Sequence, residues 1–261
     1  EQLFELLQCR GVGALLLGRD EGFYYRSAGV ELERASARGG GLSTRFFAEH
    51  QGPAEVTTSF NLAHAMGSAS AFGANIEAAR GNAFGIAIRD LRGGGLDPQG
   101  WRAVSDLRLE GGWFQPTAAG SPDGEAYSRA ALDVTVSRGL GSRLAAALTG
   151  GVGVSDKAPV QRQFLLGGTE TVRGQRAGTM AGDSYWFGRF ELGGGGAGAR
   201  RVVFGDLGWA GPLGDWSHPG RPMSGAGVGL SFLDGLMRAD LARGIYPSRR
   251  YRFDLYFEAR M

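Results

Sequence analysis

The stretch Gly167-Gly168-Thr169-Glu170-Thr171-Val172-Arg173-Gly174-Gln175 decides the fold of this 261-residue chain. It places one arginine on a glycine-rich loop between two strand-like runs, residues 143–154 and 183–192. A guanidinium group stays charged at any physiological pH and carries five donors in a rigid fork, so burying it requires carboxylate partners. Candidate carboxylates follow downstream at Glu191 and Asp206. The sequence therefore predicts that this arginine points at an acidic site enclosed by the following strands.

The strands after the loop alternate apolar and polar side chains. Phe190 precedes Glu191 on one strand, and Asp206 precedes Leu207 on the next. Because successive side chains of a strand point to opposite faces, both acids lie on the face away from the large apolar residues. That face is the lumen if the apolar faces meet lipid, and a cluster of Arg173 with both acids is then geometrically allowed.

The same period of two recurs through most of the chain and predicts about 12 strands. Short turns join some of them, and Gly139-Leu140-Gly141-Ser142 has the length of a periplasmic turn of an outer-membrane barrel. A soluble sandwich buries the apolar face whereas a membrane barrel exposes it to lipid, so alternation alone leaves both open. The alternating segments are 28–33, 42–49, 56–64, 84–88, 101–110, 132–137, 144–148, 185–192, 203–209, 226–232, 237–242 and 251–261.

Three ordered motifs carry a resemblance to a known family: Leu166-Gly167-Gly168, Val172-Arg173-Gly174 and Phe204-x-Asp206-x-Gly208. The sequence resembles the BamA/TamA family of outer-membrane assembly barrels, which carry the bacterial surface antigen barrel domain. In that family the loop folds back into the lumen, where its arginine pairs with acids on the next two strands. The resemblance implies that Arg173 meets Asp206 and Glu191. Gln175 departs from the family, which usually has an aromatic residue there.

The resemblance also implies the architecture. It predicts an all-β fold, an antiparallel transmembrane β-barrel with about 12 strands present of a probable 16. We therefore expect an N-terminally truncated chain, with residues 1–261 forming the C-terminal part of one outer-membrane barrel domain. The inward-folding loop is expected at about residues 155–182, as a connection without regular structure. A smaller, self-closed barrel is the alternative.

The chain ends inside an alternating strand, as is typical of outer-membrane barrels, although most end on Phe or Trp and this one ends on Met261. The residues that share the apolar face of this C-terminal strand are Tyr251, Phe253, Leu255 and Phe257.

For function, the resemblance implies a protein of the bacterial outer membrane that assists insertion, assembly or translocation of other proteins. Its partners would be outer-membrane lipids, unfolded outer-membrane protein clients and periplasmic accessory proteins. Two alternatives stay open: a passive channel or secretion pore, and a barrel that anchors a larger enzyme. A soluble all-β sandwich is the remaining structural alternative.

Composition argues against other classes. The arginines are dispersed among acids and the net charge is only +2, so the sequence predicts no nucleic-acid partner. Cys9 is the single cysteine, and His50, His64 and His218 lack metal-ligand spacing, so no metal site is expected. Nucleophile-elbow, phosphate-loop and zinc-protease motifs are missing, which predicts neither an enzyme nor a cofactor.

Overall fold

The structure is a computed structural model that describes residues 22–36, 41–55, 75–95, 97, 99–118, 120, 123–196, 199–232 and 237–257. These residues form thirteen strands and two short 3-10 helices, Val160–Arg162 and Leu213–Asp215. The strands are β1 (Tyr25–Ala35), β2 (Gly41–Pro53), β3 (Gly81–Gly94), β4 (Trp101–Pro116), β5 (Glu125–Leu140), β6 (Leu144–Asp156), β7 (Phe164–Leu166), β8 (Met180–Gly182), β9 (Ser184–Gly196), β10 (Ala199–Gly211), β11 (Met223–Phe232), β12 (Met237–Tyr246) and β13 (Tyr251–Phe257).

Eleven strands form one antiparallel sheet in the order β1-β2-β3-β4-β5-β6-β9-β10-β11-β12-β13. Among the described strands, neighbours along the chain are thus neighbours in the sheet, except where the segment between β6 and β9 interrupts this order. The all-β antiparallel prediction is confirmed, and the predicted strand count is close to the observed one. Of the predicted segments, 56–64 lies outside the described residues, as do residues 258–261 at the end of the last one.

The outer face of the large sheet is apolar and exposed. Residues that pair across strands share a face, and Leu132 pairs with Leu107 on one side and Val152 on the other. Monomeric water-soluble proteins rarely expose a continuous apolar face of this extent, whereas a membrane barrel presents one to lipid. Exposed members of this face are Val30, Leu32, Phe46, Phe84, Ile86, Leu107, Leu109, Leu132, Leu148, Val152, Phe190, Val203, Leu207, Val228, Leu230, Leu241 and Phe253.

The inner face carries the charges. Arg89 forms two hydrogen bonds with Asp106, and Arg108 pairs with Asp133. Further charged side chains of this face are Arg45, Glu49, Glu110, Arg129, Arg189, Glu191, Asp206, Arg238, Asp240, Arg252 and Asp254. A charged interior behind an apolar exterior is the reverse of a soluble sandwich and matches a membrane barrel.

Aromatic rings on the inner face lie over glycines of the neighbouring strand. A Cβ atom added at each of these glycines would come within 3.0 Å of the ring. Covering the bare backbone in this way stabilises a strand that glycine would otherwise weaken. The glycine-rich composition thus has a packing role. The directly paired residues are Phe47 with Gly85, Tyr127 with Gly112, Phe187 with Gly151, Tyr185 with Gly153, and Phe204 with Gly227.

The segment between β6 and β9 folds back over the inner face, and we call it the lumenal loop (residues 157–183). The prediction that residues 155–182 lack regular structure is wrong, since β6 continues to Asp156 and β7 pairs with β8 inside the loop. Phe164 stacks on Tyr185 with ring centroids 4.5 Å apart. Three-residue strands leave no alternation to detect, so their formation depends on this packing.

No helix among the described residues is long and apolar enough to span a membrane.

Candidate functional site

The tip of the lumenal loop is held in shape by local hydrogen bonds. Thr171 accepts from the backbone N–H of Gly167 at 2.8 Å and donates to the carbonyl of the same residue at 3.0 Å. The backbone N–H of Gly168 donates to the carbonyl of Gln175 at 3.0 Å. These contacts close the stretch 167–175 on itself and present Val172 and Arg173 to the barrel wall.

Arg173 is fully buried and binds Asp206 of β10. Its backbone N–H donates to Oδ2 at 3.0 Å, its Nε donates to the same oxygen at 2.7 Å, and its Nη2 donates to Oδ1 at 2.7 Å. Both side chains are 0% exposed. A bidentate arginine–carboxylate pair fixes geometry as well as charge, so this contact sets the position of the loop tip.

Further charged side chains complete what we call the tip cluster (Arg173, Glu191, Asp206, Arg238 and Asp240). Arg173 Nη1 donates to Glu191 of β9 and lies 3.6 Å from Asp240 of β12. Arg238 donates to Asp240 at 2.9 Å and to Glu191 at 3.0 Å. Each acid therefore faces an arginine, as buried charges require.

Phe204 adds a contact on the face of the guanidinium. Its ring centroid lies 3.6 Å from Cζ of Arg173. A cation over an aromatic face is attracted by the ring quadrupole, and more strongly where water is excluded. Burial alone would lower the pKa of Arg173, but the hydrogen bond and charge of Asp206 and the charge of Glu191 together raise that pKa. The group remains a cation throughout the physiological range.

Glycines on two strands create the space for the tip. Gly225 of β11 pairs directly with Gly244 of β12. A Cβ atom added at Gly225 would lie 2.0 Å from the carbonyl oxygen of Arg173, and one at Gly244 would lie 2.6 Å from Nε2 of Gln175. Gly174 has φ +83 and itself approaches the backbone of β12, with Gly244 N 2.7 Å from its added Cβ. Side chains at these positions would prevent docking.

Gln175 joins the tip to the end of β12 and the turn after it. It is 0% exposed, and its Nε2 lies 3.0 Å from each of the carbonyl oxygens of Ser224, Tyr246 and Ser248. The N–H of Ser248 donates back to Oε1 at 3.3 Å. An amide thus stands where the sequence resemblance led us to expect an aromatic residue, and it binds backbone groups that a ring could not satisfy. Arg252 of β13 donates to the Gln175 carbonyl at 3.4 Å.

Gly208 of β10 faces the loop. A Cβ atom there would lie 2.9 Å from Leu166 Cδ2 and 3.1 Å from Val172 Cγ2, both loop side chains that are essentially unexposed. The absence of a side chain at Gly208 therefore leaves room for the loop.

The structure therefore brings together the loop motif Val172-Arg173-Gly174, the acids Glu191 and Asp206, and the strand motif of Phe204 and Gly208. Tyr251, Phe253 and Leu255 of the C-terminal strand motif lie elsewhere, on the outer side of β13, and Phe257 ends the same strand. Tyr251 is exposed, and the register pairs the others with β12 as Phe253 with Leu241, Leu255 with Ala239, and Phe257 with Met237.

Sequence reasoning missed five residues of the site: Arg238, Asp240, Gly225, Gly244 and the binding role of Gln175. Alternation along β12 did place Arg238 and Asp240 on the polar face. Nothing in the sequence, however, separates them from the other lumenal charges, and the two glycines stand among 47.

Metal binding finds no support in the described part of the chain, where no group of three or more His, Cys, Asp and Glu side chains is placed to hold an ion.

An antiparallel sheet with an apolar exterior, a charged interior and an arginine-tipped lumenal loop defines the fold as that of a transmembrane β-barrel. Among solved structures it is similar to BamA from Haemophilus ducreyi lacking POTRA domains 1-3, with a TM-score of 0.50 and 11% sequence identity. The match covers 89% of this chain and 61% of that chain. No family model and no curated protein matches the sequence.

Proposed function

We propose that the chain is the barrel of an outer-membrane protein of the BamA/TamA family, and that it assists insertion, assembly or translocation of other proteins. Its partners would be outer-membrane lipids, unfolded barrel clients and periplasmic accessory proteins. The proposed activity works through strand pairing and makes or breaks no covalent bond.

One observation carries this proposal: the buried arginine at the tip of the lumenal loop, bound to acids on β9, β10 and β12. Passive conduction does not require a buried loop arginine that is bound to three strands of the barrel. A protein whose wall deforms while clients are handled would need such a brace, because a bidentate arginine–carboxylate pair fixes the geometry of the strands that it joins. The lumenal loop supplies this brace.

The large sheet also offers a place for clients. Its end strands among the described residues are β1 and β13. An extended client strand added to such an edge gains main-chain hydrogen bonds, the mode known as β-augmentation. In a membrane the gain is large, because unpaired backbone groups in hydrocarbon cost several kcal/mol each.

The test is catalysed folding of a client. An unfolded outer-membrane barrel protein diluted from urea into lipid vesicles that contain this chain is expected to fold faster than in empty vesicles. Folding is scored by the faster migration of folded barrels on unheated SDS gels. Vesicles containing an unrelated barrel at the same density serve as the control, and equal rates in the three preparations would contradict the proposal.

A pore is the second candidate, favoured by the exposed charges of the inner face. Arg89 remains 56% exposed and Arg108 39% exposed although both face the lumen. Exposed charged side chains along a lumen are what an ion path requires. Steady ion conductance in a planar bilayer, without any effect on client folding, would favour this function over assembly.

A further inference from the structure

A second arginine of the lumenal loop is bound far from the tip. Arg162 ends the 3-10 helix near the start of the loop, and its side chain is only 11% exposed. Its Nη2 donates to Glu49 of β2 at 2.7 Å, and its Nε lies 3.4 Å from Glu110 of β4. We call this contact, together with Gln161 and Gln51, the proximal anchor.

Hydrogen bonds from neighbouring groups hold the proximal anchor in place. Gln161 donates to Gln51 Oε1 at 2.6 Å and to the Ala79 carbonyl at 3.2 Å, and it accepts from the Ala79 N–H at 3.0 Å. Gln51 is 0% exposed. Tyr127 of β5 donates to Glu110 at 2.8 Å, which holds that carboxylate toward the arginine.

Aromatic rings and apolar packing surround the proximal anchor. Arg162 Cζ lies 5.4 Å from the ring centroid of Phe47 and 5.8 Å from that of Tyr25, the first residue of β1. A separate buried cluster centres on Phe47, and Ala158 of the loop packs against it. The start of the loop is therefore docked on β1, β2, β4 and β5 by charge, hydrogen bonds and apolar contact together.

The two docking points lie on opposite halves of the large sheet. The tip binds β9, β10, β11 and β12, and the Gln175 carbonyl reaches β13 through Arg252. Next to the tip, a Cβ atom added at Gly178 would lie 2.5 Å from the ring of Phe23, which precedes β1. The lumenal loop thus touches both end strands or their immediate flanks.

We infer that the lumenal loop is fixed to the sheet at two points, the tip cluster and the proximal anchor. The Arg162 contact of the proximal anchor sets the separation between the end strands β1 and β13. The tip contact is the tighter one. Arg173 and Asp206 are fully buried and share three hydrogen bonds of 2.7–3.0 Å. Arg162 donates one hydrogen bond to Glu49 at 2.7 Å and one to Glu110 at 3.5 Å, and Arg162 and Glu49 are 11% and 13% exposed. The proximal anchor is therefore the contact that breaks first. When it breaks, β1 and β2 can move away from β13 while the tip cluster stays docked.

This inference goes beyond the proposed function, because it concerns the chain alone and needs no client. The test is a distance measurement by pulsed electron paramagnetic resonance in lipid vesicles. Spin labels are placed at Ala28→Cys on β1 and Phe253→Cys on β13 in a Cys9→Ala background. Arg162→Ala is expected to lengthen the mean distance between the labels and to broaden its distribution. Glu49→Gln is expected to act in the same direction.

Arg89→Ala is the matched control, since it removes a lumenal arginine that pairs with Asp106 on the neighbouring strand β4. It is expected to leave the distance unchanged. Migration on unheated SDS gels verifies that each variant is folded. If Arg162→Ala does not fold, Arg162→Lys replaces it, because a lysine cannot reach both Glu49 and Glu110 as the fork does. A folded Arg162 variant with the wild-type distance distribution would overturn the inference.

Discussion

Arg173→Ala is expected to lower the free energy of unfolding by about 3–5 kcal/mol, the cost of removing one partner from a buried ion pair. The destabilisation comes from the buried carboxylates that lose Arg173 as a partner. Asp206 would keep its buried carboxylate without the three hydrogen bonds that Arg173 donates, and Asp240 would lose one of its two arginines while keeping Arg238 and the Tyr256 hydroxyl. The loss of the aromatic contact with Phe204 further lowers the free energy of unfolding.

The measurement is urea-induced unfolding in lipid vesicles followed by tryptophan fluorescence. Arg89→Ala is the matched control, since its pair with Asp106 is half exposed and such pairs contribute about 0–1 kcal/mol. Arg173→Lys should fall between wild type and alanine, because it keeps the charge and loses the bidentate fork. Equal effects of Arg173→Ala and Arg89→Ala would show that the tip cluster does not brace the barrel.

Leu132→Arg is expected to destabilise the barrel in lipid by about 2–4 kcal/mol, the cost of an arginine on the lipid face near the midplane. Leu132 lies at the middle of β5, on the outer face, and is 37% exposed. In contact with hydrocarbon the new guanidinium has neither water nor a carboxylate partner, whereas in contact with water the same change costs little.

Ser137→Arg on the same strand is the control for Leu132→Arg. Ser137 lies on the inner face, where it pairs with Arg102 and Ala147, and a long charged side chain there can reach lumenal water. Unfolding in vesicles should separate the two variants clearly. A Leu132→Arg variant as stable as Ser137→Arg would contradict a membrane location for the outer face.

Much of the fold was predictable because a strand reveals itself by local alternation. Leu132 and Asp133 lie on opposite faces for the same reason in the sequence and in the structure. Alternation does not show what the apolar face contacts, since the pattern is the same whether that face meets lipid or a second sheet. The resemblance of the loop motif to a membrane-barrel family indicated lipid.

The site was predictable where a motif or the family resemblance singled out a residue. Asp206 stands in a motif and on the polar face of its strand, whereas Glu191 had only the polar face and the resemblance. Arg162 had neither signal: it is one lumenal arginine among many, and its partner Glu49 lies 113 residues away in the chain. Contacts between residues so distant depend on how the loop folds back over the sheet, which no local pattern records.

A disulfide crosslink shows whether the loop tip is docked inside the barrel. In a Cys9→Ala background, Val172→Cys is combined with Gly208→Cys, since a Cβ at Gly208 would lie 3.1 Å from Val172 Cγ2. Replacing valine by cysteine removes one methyl group and makes room for the bridge, whose Cβ atoms need to be about 3.8 Å apart.

Val172→Cys with Ser137→Cys is the control pair, and free thiols are counted by the mass shift of a maleimide polymer after mild oxidation in vesicles. With a docked loop, both thiols of the Val172–Gly208 pair are expected to be consumed and those of the control pair to stay free. Equal labelling of the two pairs would contradict the docked loop and, with it, the brace on which the proposed function depends.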